Sequence, residues 1–203
     1  MTNLRTLYLG RFQIFHNGHL NIVKHIDSQP DTGLIVIGIG SAQYGRNSKH
    51  PNLPLVMNPF NYSEREEMLR MSLEGELSRP YQIIGINDIH VCENWLNLVC
   101  AKTHCEILYT NTRRERNLFE SAGIETRPVP IKDGYHAQFV REAIADHNDY
   151  AKLVPAGTQR WIKKNGIENL LAEFYAANPE SVEEVHALQR KNGTTMYFSG
   201  MKI

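Results

Sequence analysis

The sequence predicts an α/β protein built on a doubly wound parallel sheet of about five strands, with helices on both faces and a C-terminal helical extension. Three observations carry that prediction. Short apolar runs alternate with longer stretches of helical period along most of the 203 residues. One of the runs, Gly33-Leu34-Ile35-Val36-Ile37-Gly38-Ile39-Gly40, is continuously apolar and β-branched, the pattern of a strand covered on both faces. The first run, Thr6-Leu7-Tyr8-Leu9, ends in a glycine-punctuated turn, Gly10-Arg11-Phe12-Gln13-Ile14-Phe15-His16-Asn17-Gly18-His19. That turn leads into a helix with apolar residues at Leu20, Ile22, Val23 and Ile26.

The remaining elements follow in order. The second strand ends in the small polar turn Ser41-Ala42-Gln43, and a Pro/Asn-rich loop, residues 44–62, is longer than connections usually are. Ser63-Glu64-Arg65-Glu66 has capping-box spacing and opens a helix facing inward with Met68, Leu69 and Leu73. A third strand is expected over residues 81–86, followed by Asn87-Asp88, then a helix over 94–102 with Trp95, Leu98 and Val99 on one side. Residues 106–109 form a fourth strand, 113–122 a helix closed by Gly123, and 126–130 a fifth strand. Helices follow at 136–146, 155–165 and 167–177. Residues 1–177 are expected to form one domain and 178–203 an extension, where Ser181 and Glu184 have the spacing to cap a polar helix over 181–191. Asn192-Gly193-Thr194 matches the glycosylation pattern, which a cytoplasmic chain would not use.

Composition narrows the function. Lys plus Arg equals Asp plus Glu at 22 each, which gives no overall electrostatic reason to bind nucleic acid or anionic lipid. Anion binding must therefore be local. The chain has no membrane-length apolar run and no signal-peptide layout, so a cytoplasmic protein is expected. The cysteines Cys92, Cys100 and Cys105 lack paired C-x-x-C spacing and read as free thiols.

In a parallel sheet of this kind ligands bind beyond the carboxyl ends of the strands. Residues 10–19, Ser41 to Gln43, Asn87-Asp88, Thr110-Asn111 and Lys132-Asp133 all directly follow strands and should gather on one rim. The first of these stretches is the candidate centre. A helix N-terminus favours an anion, and His16 and His19 add two donors beside it. Such a set suits displacement at phosphorus, which is catalysed mainly by positioning and by donors aimed at developing charge. A zinc site would need a third ligand and an adjacent Glu, which the motif lacks.

Gly10-Arg11-Phe12-Gln13 with His16-Asn17-Gly18-His19 resembles the signature of the H-x-G-H adenylyltransferases, and the wider pattern resembles the archaeal-type nicotinamide mononucleotide adenylyltransferases. Further matches occur in order: residues 38–43, Asn58-Pro59-Phe60 with Glu64-Arg65-Glu66-Glu67-Met68-Leu69, Asp88-Ile89 with Trp95, and Leu153-Val154-Pro155. The similarity spans about residues 4–175. It implies a Rossmann-like fold and transfer of AMP from ATP, carried with Mg2+, to nicotinamide mononucleotide, giving NAD and pyrophosphate.

The resemblance also implies site roles. His16, His19 and Arg141 would be catalytic, and Gly10, Arg11, Phe12, Gly18, Arg46, Thr110, Asn111, His136 and Gln138 would join them around ATP. Ser41, Gln43, Asp88 and Trp95 would bind the mononucleotide, Trp95 offering a flat face to the pyridinium ring. No nucleic-acid or membrane partner is implied; a homo-oligomer is expected.

Four departures from the family pattern stand out. Ile14 replaces a proline. The loop between Gln43 and Asn58 is longer, leaving Arg46 and Lys49 as alternative phosphate-binding cations. Thr110-Asn111 lacks the usual glycine, and His136 and Gln138 replace two hydroxyl residues ahead of Arg141. Three other readings compete: a related nucleotidyltransferase with another phosphate acceptor, a nucleotide-binding regulator without turnover, and a fragment related to class I aminoacyl-tRNA synthetases. For the last, the chain is too short and has no basic face beyond Arg113, Arg114 and Arg116.

Overall fold

The computed structural model describes residues 4–89, 91–130 and 135–191. Its sheet is all parallel, in the order β3-β2-β1-β4-β5, from β1 (Leu4–Gly10), β2 (Thr32–Ile39), β3 (Tyr81–Gly85), β4 (Ile107–Tyr109) and β5 (Glu125–Arg127). Between them run α1 (Asn17–Asp27), α2 (Tyr62–Leu73), α3 (Cys92–Thr103) and α4 (Arg113–Glu120); α5 (Ala137–Ala145), α6 (Ala156–Lys164), α7 (Ile167–Ala176) and α8 (Pro179–Lys191) follow. Strand order reverses between β1 and β4, which opens a crevice at their carboxyl ends.

The continuous apolar runs are explained by burial on both faces. Ile35, Ile37 and Ile39 of β2 join Tyr8, Ile107 and Tyr109 in one core with α1, α2, α5, α6 and α7. Their neighbours Leu7, Val36 and Leu108 point the other way, into a smaller core with Leu96 and Val99 of α3 and Phe119 of α4. The two layers are unequal because the C-terminal helices add to only one side. There α6 crosses α2 closely at Gly157, where a Cβ would come within 2.0 Å of the Met71 carbonyl oxygen.

Several boundaries differ from the sequence reading. The cap of α2 is Asn61, not Ser63: its side chain accepts from Glu64 N at 3.1 Å, and Glu64 accepts from Asn61 N at 2.9 Å. The shift of two residues follows because Ser63 already lies in the first turn and donates to Asn61 at 2.8 Å. The buried face of α3 is Leu96, Val99 and Thr103; Trp95 and Leu98 are only partly covered. The last helix starts at Pro179, and Ser181 is no cap, since its Oγ accepts from Val56 N at 3.2 Å instead. That bond, with Val56 and Val185 both buried, seats α8 on a 3-10 turn, Leu55–Met57, inside the long loop. Lys132-Asp133 and Asn192-Gly193 lie outside the described residues. Among the described residues no helix is long and apolar enough to cross a membrane.

Candidate active site

At the end of β1 the backbone doubles back through Phe12, which holds a left-handed φ of 48°. Its ring is buried and lies edge-on to His19, with centroids 5.1 Å apart. The Phe12 ring thus supports His19 and offers no open face, so a contact of Phe12 with ATP would have to be made by its backbone.

His16 caps α1 and His19 is its third residue, and the two form a reciprocal capping box. His19 N donates to His16 Nδ1 at 3.3 Å, and His16 N donates to His19 Nδ1 at 3.4 Å. The imidazoles stack with centroids 3.6 Å apart. A ring whose Nδ1 accepts must, when neutral, carry its proton on Nε2. Neutral they are: burial first, then His136 and Arg141, lowers the His16 pKa to about 3, and burial and His16 hold His19 well below 6.5. Both histidines are thus fixed as Nε2–H donors. Gly18 permits the close approach, since a Cβ there would meet Tyr135 Cβ at 2.8 Å and the His16 ring at 3.0 Å.

Guanidinium groups gather beneath this turn. Arg65 is fully buried and its five N–H groups meet five backbone carbonyls, of Asn61, Arg11, Gly40, Ser41 and Tyr44, at 2.8–3.3 Å. It ties the ends of β1 and β2 to α2. Burial and the charge of Arg11 lower its pKa to about 10. Arg11 donates to Asn58 Oδ1 at 3.2 Å, and burial and Arg141 pull its pKa down while Asp88 opposes them. The neighbourhood is electropositive, which suits a polyanion.

Arg141, which the resemblance implies to be catalytic, is engaged within the protein. It is buried, donating to Gln13 O at 2.6 Å, to Tyr175 Oη at 3.2 Å and to Gln138 Oε1. Gln138 also donates to Glu142 at 2.6 Å, so it bridges Arg141 and Glu142 along α5 instead of facing the rim. The amide oxygen that replaces a hydroxyl is what captures the guanidinium. His136 occupies the N-cap position of α5 without a side-chain capping bond, its ring edge-on to Phe139 at 6.0 Å.

Arg46 is likewise engaged, both terminal nitrogens meeting Glu64 at 2.6 Å and one also the Pro59 carbonyl at 3.0 Å. It is not a free phosphate cation. Thr110 donates to Glu115 at 2.5 Å and accepts from Thr112 N at 3.0 Å, while Asn111 clamps Val129 at 2.9 and 3.1 Å.

On the opposite side of the rim lies an open cavity of about 440 Å3. Asp88 and Trp95 line it. Ser41 and Gln43 do not reach it; they hold Asp88. Ser41 Oγ donates to Asp88 Oδ2 at 2.7 Å, and Gln43 clamps the Asp88 backbone with two bonds of 3.0 Å. Trp95 stands edge-on to Phe119, centroids 6.1 Å apart. Arg65 and His50 were missed as site residues by sequence reasoning, the first visible only as part of a family match and the second hidden in an irregular loop.

Neutral donors and guanidinia at the switch point of a parallel sheet, beside a cavity with an aromatic wall, define a nucleotidyl-transfer type of site. The chain belongs to the cytidylyltransferase-like family, whose model matches residues 7–172. It is 34% identical over 178 residues to the nicotinamide-nucleotide adenylyltransferase of Methanococcus aeolicus, covering 86% of this chain and 92% of that protein. With the protein of the same name from Thermococcus onnurineus the identity is 32%, covering 89% of this chain and 92% of the other. A bifunctional NMN adenylyltransferase/ADP ribose pyrophosphatase from Francisella tularensis, crystallised with AMP and a manganese ion, shares the fold with a TM-score of 0.66 at 17% identity. That match covers 94% of this chain and 56% of the longer protein.

Proposed function

We propose that the chain is a nicotinamide-nucleotide adenylyltransferase: it transfers AMP from ATP to nicotinamide mononucleotide, forming NAD and releasing pyrophosphate. The observation that carries the reading is the reciprocal histidine cap, which leaves two neutral Nε2–H donors at a helix N-terminus above a guanidinium cluster. An oxygen of the mononucleotide phosphate attacks the α-phosphorus in line, the new P–O bond forms, and the bond to the β-phosphate oxygen breaks. The attacking oxygen is already anionic, so no general base is required. What the reaction needs is donors where charge accumulates, and His16, His19 and Arg11 supply them. Gly10 makes room for the Phe12 ring behind His19, and Gly18 for the His16 ring and Tyr135. Magnesium belongs to the substrate, bound to the ATP phosphates.

A second reading, a nucleotide-binding regulator without turnover, is favoured by one observation, the engagement of Arg141 by Gln138. A steady-state assay with ATP, magnesium and nicotinamide mononucleotide separates the two. Formation of NAD and pyrophosphate in equal amounts is expected; nucleotide binding with no NAD would establish the regulator instead.

A further inference from the structure

The long loop after β2 is not a bystander to the acceptor pocket. His50 sits on it with its side chain mostly covered, and its Nδ1 accepts from Asn52 N at 3.0 Å. That bond places the proton of the neutral ring on Nε2, which lies 3.2 Å from Asp88 Oδ2. Tyr44 packs edge-on against the same imidazole, centroids 4.7 Å apart. Ser41 donates to the same oxygen, so two donors converge on Oδ2. Among the described residues no hydrogen bond reaches Oδ1, while Asp88 itself forms part of the cavity wall. On its outer side the loop is held by α8 through the bond from Val56 N to Ser181.

We propose that His50 is a positioning residue for the acceptor: it holds Asp88 with Oδ1 turned to the pocket, so that the pocket takes a pyridine carboxamide in preference to a pyridine carboxylate. The inference rests on reading the cavity as the mononucleotide site. A carboxamide NH2 gives the carboxylate oxygen a donor, whereas a substrate carboxylate would face it with like charge. Glu115, on the same wall, adds to the negative field. Arg114 is the opposing cation there, and one of its terminal nitrogens is engaged by Cys92 Sγ at 3.0 Å. Two carboxylates against one guanidinium favour the cationic nicotinamide ring carrying a neutral amide. Specificity then comes from an unfavourable contact with the wrong acceptor as much as from a favourable one with the right acceptor.

The test is calorimetric titration of the full chain with nicotinamide mononucleotide and with nicotinate mononucleotide, for the wild type, His50→Ala and His50→Gln. The wild type should bind the amide at least about tenfold more tightly. His50→Ala should narrow that ratio to about threefold or less, by weakening the amide, with ATP affinity within about twofold of the wild type. Gln carries a donor at a similar reach, so His50→Gln should restore most of the ratio. An unchanged ratio in His50→Ala, or equal weakening of both acceptors, would overturn the proposal, because a merely structural role for the loop moves both alike. The outcome is independent of turnover. A wild type that shows the ratio but makes no NAD would remove the transferase reading and leave the role of His50 standing.

Discussion

The histidine turn and the cavity proposed for the acceptor lie on one rim and are built in opposite ways. In the turn the groups that set the geometry are engaged before a ligand arrives: the Nδ1 atoms of His16 and His19 cap each other's backbone, Arg65 saturates five carbonyls, and Arg141 is held by Gln13, Gln138 and Tyr175. The pocket is an open cavity of about 440 Å3, with one carboxylate oriented by two side chains of the connection after β2. The difference teaches where each half of the reaction gets its selectivity. A site that must stabilise charge at one phosphorus gains from fixed donors, which need no reorganisation as the charge develops. A site that must choose between similar rings gains from one well-placed polar group in an otherwise roomy cavity.

The contrast can be broken most severely at His19. His19→Ala should lower kcat at least about 100-fold, the scale of a lost transition-state donor, with little change in mononucleotide affinity; initial-rate kinetics check both. Near-normal turnover would remove the turn from the chemistry. Next comes Arg65→Met, which leaves five carbonyls without their donor and should destabilise the fold by about 3 kcal/mol, read from urea unfolding. Trp95→Ala should raise KM for the mononucleotide about tenfold and KM for ATP much less. A parallel rise in both would place Trp95 in the core and not at the acceptor. The smallest effect is expected at Gln138: Gln138→Thr releases one hold on Arg141 and should lower KM for ATP by roughly threefold.

Much of this was legible in the sequence. Strands β1 to β4 were readable because their runs are apolar on both faces, whereas β5, Glu125–Arg127, buries no residue; the rim followed from parallel topology alone. The positions of His16, His19 and Asp88 near the rim followed in turn, while Trp95 was singled out only by the family resemblance. What was not legible has a common physical cause, long-range side-chain pairing. Arg46 looked like a free cation because Glu64, its partner, is 18 residues away. Arg141 looked open because nothing local signals that Gln13, 128 residues earlier, would receive it. His50 lay in a loop without periodicity, and only folding brings it to Asp88. Phe12 belonged to a motif associated with ATP, yet its positive φ turns the ring inward.

The buried histidines also set a pH signature. In the unfolded chain both titrate near 6.5, whereas in the fold His16 titrates near 3 and His19 well below 6.5. As pH falls the unfolded state binds protons first, so this contribution to stability is complete above about pH 6.5 and declines toward pH 3. Thermal unfolding should show a Tm plateau above pH 7 and a fall below 6, and His19→Gln should flatten that fall.

The central claim is that the triphosphate side works through two neutral imidazoles, each protonated on Nε2. Long-range 1H–15N correlation of the imidazole rings tests it most directly, recorded with and without Mg-ATP from pH 8 to 5. Two rings with unprotonated Nδ1, protonated Nε2 and no titration in that range are the expected result. A ring that titrates near 6.5, or that carries its proton on Nδ1, would contradict the account.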